Sequence, residues 1–174
     1  MIKKALVLVS ALAMLVSGTL FTASAQDEPT PAQIAAAAAE TRQSVFKLLL
    51  FNLVPIAGMA RGAPFDAAVA EKNARNIAAL APMIPDLFSA VDTRDFDVET
   101  EALDVIWENP TEFAAKAQAL MEAAGTFADV AAGGDRAATL GAFRALGGGC
   151  GNCHDDFRVD NDEIVVIYSI KRAA

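Results

Sequence analysis

Three residues that can do covalent and metal chemistry stand together near the C-terminus. Cys150, Cys153 and His154 form the string Cys-Gly-Asn-Cys-His, and the 174-residue chain contains no other cysteine or histidine. On a helix, residues three and four apart share a face, so both thiols and the imidazole would project to one side. Two thiols at this spacing can bond to the vinyl groups of a porphyrin, with the imidazole directed at its iron. The string therefore predicts one covalent haem c with His154 as axial iron ligand.

Three other roles of the cysteine pair are weaker interpretations. A disulfide between these residues would close so small a loop that it would constrain little of the unfolded chain. A structural zinc site needs four ligands, more than this sequence provides. A periplasmic thiol-disulfide oxidoreductase using the pair is the main alternative function, but such pairs usually belong to an α/β domain.

Glycines surround the reactive string at positions 147–149 and 151. Glycine is unfavourable inside a helix, but it has no side chain to keep a bulky planar group away from the backbone. We therefore expect these glycines to allow close approach of the haem to the last helix.

The helix that presents this string is predicted to be the last of four in an all-α chain. Alanine, the best helix former, dominates after residue 25, and strand-like alternation is absent before residue 164. Capping residues and breaks divide residues 26–160 into four long helices, which predicts an antiparallel four-helix bundle with the haem near the C-terminus. The predicted helices begin near Pro31, after Asp66, at Pro110 and after Asp135.

Two features are predicted to interrupt the helical pattern. Pro55 lies inside the first helix, where proline removes a backbone hydrogen bond and should kink or end the helix. Pro82 and Pro85 should end the second helix. Residues 86–109 are then predicted to form a long loop of mixed charge, with room for a short helical turn around residues 103–107.

The two ends of the chain are predicted to lie outside the helical bundle. Residues 1–25 have the features of a secretory signal peptide: Lys3 and Lys4, an apolar stretch, and a small-x-small cleavage motif at 23–25. We therefore expect a periplasmic protein. At the other end, residues 161–174 extend beyond the bundle, and their β-branched residues favour a strand. This extension is compatible with packing on the bundle, pairing with another chain, or disorder.

Removal of the signal peptide affects the charge of the protein. The full chain has a net charge of −8, and losing two lysines and no acidic residue makes it −10. An acidic protein repels phosphate, so binding to nucleic acid or to anionic lipid is not expected.

The first helix carries more apolar surface than one core can bury. Residues 48–54 are apolar at every position except Asn52, so apolar side chains point to more than one face of the helix. We expect one face to enter the core and another to contribute to a homodimer interface formed by the first two helices; simple burial is the alternative. A membrane span is not expected in the mature chain, because the apolar run is short and contains Pro55.

The position of the string, close to the end of a predicted four-helix bundle, resembles the cytochromes c′, the class II c-type cytochromes. The resemblance covers about residues 30–160. Its most specific part is the string CGNCHDDFR at 150–158. Weaker matches are Arg42-Gln43-Ser44, Ala63-Pro64-Phe65-Asp66 and Ile106-Trp107.

This resemblance implies a five-coordinate haem iron, with His154 on one side and an apolar residue, Phe46, on the other. Phenylalanine cannot ligate iron, so Phe46 would form the wall of the open face; the alternative is an ordinary core residue. A methionine ligand would require Met59, Met83 or Met121 to face the haem.

The resemblance also implies roles for three further residues. Arg158 would lie beside the haem on the His154 side, where a cation stabilises negative charge; the alternative is a solvated arginine at the helix end. Arg42 would bind a haem propionate, or else be a surface charge. Trp107 would lie near the haem edge, or else anchor a loop over the core.

The implied function is electron transfer, the binding of nitric oxide (NO) and carbon monoxide (CO) at the open iron face, or both, without catalysis. Phe46 has no hydrogen-bond donor, and the chain has no second histidine. Bound dioxygen would therefore lack a stabilising donor. A redox partner is expected, but the sequence does not identify it.

Overall fold

The computed structural model describes residues 28–159, and the chain is helical through most of this range. The predicted signal peptide at 1–25 and the extension at 161–174 lie outside the described residues. Apart from helices, the described part contains one isolated antiparallel bridge, between Ala102 and Arg158. The helices are α1 (Pro31–Ala60), α2 (Ala67–Leu80), α3 (Met83–Ala90), α4 (Val105–Glu108), α5 (Pro110–Ala132) and α6 (Arg136–Phe157).

Side-chain caps and one proline define the starts of the four long helices. Thr30 and Gln33 form a capping box at α1, in which each side chain accepts a hydrogen bond from the other's backbone amide. Asp66 and Asp135 cap α2 and α6 by accepting from the backbone amide three residues ahead. Pro110 begins α5, where its missing N–H is not needed. The predicted helix starts are confirmed.

Pro55 does not end α1, contrary to one of the two expected outcomes. The helix continues to Ala60 with Pro55 inside it. The proline leaves the Phe51 carbonyl without its helical partner, but Phe51 is 72% exposed, on the side of the helix where water can replace the lost donor. Ile56 and Ala57 are buried just beyond the proline. Their packing against the bundle keeps the last turn helical.

The prediction of one long loop over residues 86–109 is wrong. Helix α3 begins just before this range and continues into it as far as Ala90, and its third residue is Pro85. Amides in the first turn of a helix have no intrahelical acceptor, so a proline there removes no bond. The short turn expected around residues 103–107 is α4, shifted slightly toward the C-terminus.

The four long helices form a bundle. Short connections join α1 to α2 and α5 to α6, so the helices of each pair run antiparallel. α2 packs along α5, α5 along α6 and α1 along α2. Direct contact between α1 and α6 is less extensive, and the candidate site lies between them. The predicted all-α four-helix bundle is confirmed. Its most deeply buried large side chains are Phe127, Ile56, Ile77 and Leu146.

By length and composition alone, α1 could cross a membrane. Two of its polar side chains, Arg42 and Asn52, are nevertheless buried within the protein. The Asn52 side chain accepts a hydrogen bond from Asn76 of α2, at 2.8 Å. Polar side chains that turn inward to such partners are typical of a helix that packs into a bundle.

Candidate haem-binding site

A cavity of about 730 Å³ lies between α1 on one side and α5 and α6 on the other. Cofactor sites typically occupy roughly 300–1,000 Å³. Cys150, Cys153 and His154 all line this cavity, so the structure brings the three predicted haem residues to one space. Most of the remaining wall is apolar. These wall residues include Leu49, Leu50, Leu53, Ile77, Ile84, Phe88, Ile106, Phe113, Ala117, Leu120 and Phe157.

The reactive string is fixed in place by close packing of α6 on α5. A Cβ at Gly149 would lie 3.2 Å from the Cα of Leu120, tighter than most side-chain contacts, so a larger residue here would require α5 and α6 to shift slightly apart. At Gly148 and Gly151 a Cβ would meet no described atom within 4 Å. Gly149 therefore serves helix packing, and the expectation that glycines admit the haem stays a prediction at the other positions.

The two thiols are free and lie in the cavity wall. Burial raises the pKa of Cys150 to about 12 and that of Cys153 to about 11, because a thiolate there would lose its hydration. A thiol-disulfide oxidoreductase needs an exposed thiol with a low pKa. The oxidoreductase alternative is therefore not supported.

The His154 imidazole lines the same cavity, one helical turn after Cys150. Burial lowers its pKa below the usual value, and the nearby charge of Arg158 lowers it further. Neutral imidazole is the form that ligates metals. The surroundings of His154 thus favour the protonation state that an iron ligand needs.

Helix α1 forms the wall that faces α6. Phe46 lines this wall, is partly exposed, and contacts Phe88 edge to face with ring centroids 6.5 Å apart. This position supports the role of a wall residue over that of an ordinary core residue. Met59, Met83 and Met121 all lie within the described residues, and none of them lines the cavity.

Arg158 directly follows α6 in an extended conformation, so it is not part of that helix. Its side chain is only 14% exposed, lines the cavity with His154 and forms an ion pair with Glu101. The alternative of a solvated helix-end arginine is therefore wrong. A role beside the haem stays a prediction.

Arg42 is 3% exposed, so the alternative of a surface charge is wrong. Its guanidinium donates to the carbonyls of Leu87 and Val91 and to the hydroxyl of Thr93. It also lies 4.4 Å from the centroid of the Phe88 ring, a cation–π contact. Burial lowers the pKa of Arg42. These bonds tie α1 to the end of α3, so a propionate would have to use the remaining donors.

Trp107 does not line the cavity. Its indole N–H donates to the carbonyl of Phe88 at 3.0 Å, and the two rings lie 5.7 Å apart between centroids. The structure thus supports the interpretation of Trp107 as an anchor over the core, behind Phe88 rather than in the cavity wall.

Four charged residues of the cavity wall were missed in the sequence: Lys47, Glu99, Glu101 and Lys116. Lys116 of α5 pairs with Asp156 of α6 at 2.6 Å. The helical periodicity of α5 could have revealed Lys116, because its neighbours at helical spacing also face the cavity. The two glutamates lie in an irregular segment between α3 and α4, where no sequence pattern indicates orientation.

The residues present fit a haem. Two thiols and an imidazole on one helix match the vinyl groups and the iron, and apolar walls match the two faces of the ring. A haem also carries two propionates, which need cations or water. Four cationic side chains line the cavity and could serve them: Arg42, Lys47, Lys116 and Arg158.

A family model described as cytochrome c′ matches residues 37–158 of this chain. The chain belongs to the cytochrome c′ family. This family binds covalent haem c, and the two cysteines of the chain agree with such binding. Among curated relatives, cytochrome c-554 from Cereibacter sphaeroides is 40% identical over 121 residues, which is 68% of this chain and 90% of that protein.

Solved structures of cytochromes c′ share the bundle. Cytochrome c prime from Shewanella frigidimarina has a TM-score of 0.65 and 35% identity, over 72% of this chain and 97% of that chain. A cytochrome c′ described as having ligand-controlled dimer dissociation has a TM-score of 0.64 and 29% identity, over 72% of this chain and 97% of that chain. A mutant cytochrome c prime from Alcaligenes xylosoxidans, in complex with nitric oxide, has a TM-score of 0.63 and 25% identity, over 72% of this chain and 97% of that chain.

Replacing Arg42 with methionine should destabilise the protein by about 3 kcal/mol or more. The buried Thr93 hydroxyl and the part-buried carbonyls of Leu87 and Val91 would lose a charged donor, and each such bond is worth about 1.5–3 kcal/mol. Denaturant unfolding of the haem-loaded protein measures the change. Arg75→Met is the matched control, because its ion pairs lie at the surface, and it should leave the unfolding midpoint nearly unchanged. Equal midpoints for the two variants would contradict the buried anchor.

Proposed function

We propose that this protein is an exported, periplasmic cytochrome c′ that holds one haem c and binds NO and CO at an open iron face, without enzymatic turnover. Cys150 and Cys153 attach the haem, and His154 is its only protein ligand, which leaves the iron five-coordinate. Electron transfer to a periplasmic partner through the same iron is the second candidate function.

The observation that carries this proposal is the set of side chains sharing one cavity. Two thiols and an imidazole enter it from α6, and the apolar wall of α1 with Phe46 faces them. No methionine among residues 28–159 lines the cavity, and the chain has no second histidine. The site therefore has one strong iron ligand, with Phe46 and other apolar side chains of α1 opposite it.

When bound, the haem supplies a redox-active iron that can also coordinate small diatomic gases. Phe46 offers no hydrogen-bond donor on the face opposite His154, so dioxygen, which becomes partly negative when bound, is not stabilised there. NO and CO depend much less on a donor. The apolar wall also disfavours anions such as cyanide, because an unpaired charge would lose its hydration on entry.

Mass spectrometry of the protein exported with its own N-terminus tests attachment and export together. We expect cleavage after Ala25 and a mass gain of one haem that survives denaturation. The double variant Cys150→Ala, Cys153→Ala should lose this gain, and either single variant should keep one thioether. A wild-type protein without covalent haem would refute the proposal.

Replacing Phe46 with alanine should speed CO binding to the ferrous protein, because the variant removes the ring that limits access to the iron. Flash photolysis measures the rate, and we expect an increase of tenfold or more, on the order of 1.4 kcal/mol in the barrier. Ile34→Ala is the matched control, since Ile34 is exposed on the same helix, lies outside the proposed dimer interface and does not line the cavity. An unchanged rate in Phe46→Ala would show that Phe46 does not guard the iron.

We also propose that the protein is a homodimer that associates through the outer face of α1. Leu48, Phe51 and Val54 recur at helical spacing and are all exposed, which makes an apolar stripe separate from the cavity wall. Stripes of this kind commonly mark protein–protein contacts. The family member with ligand-controlled dimer dissociation supports this assignment.

Introducing a charge at the centre of this stripe should yield monomers. We expect Phe51→Glu to sediment as a monomer at micromolar concentrations where the wild type is dimeric, since an unpaired carboxylate would have to be buried. Ile34→Glu changes an exposed apolar residue near the start of α1 and should leave the dimer intact. A monomeric wild type at high micromolar concentration would reject the dimer.

A further inference from the structure

Residues 99–103, here called the strap, cross the cavity between α1 and the end of α6. The Gln43 side chain of α1 donates to the Glu99 carbonyl at 3.0 Å. At the other end, the backbone amide of Leu103 donates to the Phe157 carbonyl at 3.1 Å. Four strap residues line the cavity: Glu99, Thr100, Glu101 and Ala102. The strap is thus part of the wall on the His154 side.

One side chain of the strap reaches the arginine that follows α6. The Glu101 carboxylate accepts two hydrogen bonds from the Arg158 guanidinium, one from Nε at 2.7 Å and one from Nη2. The backbone assists, since the Val159 amide donates to the Glu101 carbonyl at 2.8 Å. Glu101 itself is half exposed, whereas the Arg158 side chain is largely buried.

The direction of the Arg158 side chain is not set by α6. Arg158 has left the helix, although its amide still donates to the His154 carbonyl at 3.2 Å. An arginine side chain has many rotamers, and in an extended backbone several of them lead to solvent. Bonds from its guanidinium to a fixed acceptor therefore help to decide where the charge lies.

We propose that Glu101 is a positioning residue that holds the Arg158 guanidinium in the cavity wall on the His154 side and thereby sets the positive potential at the iron. This inference rests on the proposed function, in which His154 ligates the haem iron. The net strength of the ion pair is secondary, because pairs with one exposed partner add little to stability. The pair with Glu101 matters here for the position of the Arg158 charge.

The consequence for the iron follows from Coulomb's law. A positive charge near the iron favours the ferrous over the ferric state, and its effect falls with distance and with exposure to water. Loss of Glu101 removes a negative charge, which raises the midpoint potential. It also removes two of the hydrogen bonds that hold the Arg158 guanidinium, so that this charge lies farther from the iron on average, which lowers the potential. The second effect exists only when Arg158 is present.

A double-mutant cycle on the midpoint potential of the haem-loaded protein separates these effects. The variants are Glu101→Gln, Arg158→Gln and their combination. We expect Arg158→Gln alone to lower the potential. We expect the shift caused by Glu101→Gln to be clearly more negative when Arg158 is present than when it is absent. Equal shifts in both backgrounds would mean that Glu101 acts only through its own charge, and would overturn the proposal.

Glu99→Gln is the matched control, because it removes a carboxylate from the same strap and the same cavity wall. The shift in midpoint potential that Glu99→Gln causes should be the same with and without Arg158. A background dependence as large as that of Glu101→Gln would also overturn the proposal, since it would point to a general property of the strap.

A direct measurement of the arginine completes the test. In the CO-bound ferrous protein, the Nε–H of Arg158 should give a protected nitrogen–proton signal that is lost in Glu101→Ala, which removes the acceptor, and kept in Glu99→Ala. Persistence of this signal in Glu101→Ala would refute the positioning role. Covalent haem and an unchanged Soret band in each variant would show that the proposed function still stands, so the two failures are distinguishable.

Discussion

A single helical turn has to present two thiols and one imidazole to a planar group, and the rest of the bundle is arranged around this requirement. Cys150, Cys153 and His154 share one face of α6 because of their spacing. Gly149 lies against Leu120 of α5, which lets that turn pack closely on α5. The cavity lies between this pair of helices and α1. Helix α1 is held by its contacts with α2 and α3.

Protein oxygen atoms also hold the positive charges around the cavity in place. The chain is acidic overall, yet several cations line the cavity, and three of them are fixed by oxygen atoms of the protein. Arg42 donates to backbone carbonyls, Lys116 pairs with Asp156 and Arg158 pairs with Glu101. A charge that is fixed before the cofactor changes its oxidation state exerts its potential without reorganising. We therefore expect the properties of the iron to depend on residues that do not touch it.

Local signals in the sequence were sufficient for much of the fold. Helix caps depend on neighbours three or four residues away, and the helix starts near Pro31, after Asp66 and after Asp135 were predicted correctly. Pro85 was interpreted as the end of a helix, but it lies in the first turn of α3, where proline removes no hydrogen bond. The partners of Arg42 and Arg158 lie 45 to 57 residues away. No local pattern indicates such contacts, so the buried anchor and the strap required the structure.

We propose that the cavity supplies the iron with one protein ligand and a largely apolar opposite face. Resonance Raman spectroscopy of the reduced, exported protein tests this most directly. We expect a five-coordinate high-spin ferrous haem with an iron–histidine stretching band, which disappears in His154→Ala. A six-coordinate low-spin spectrum in the absence of added ligand would contradict it, because a second protein group would then occupy the face that Phe46 lines.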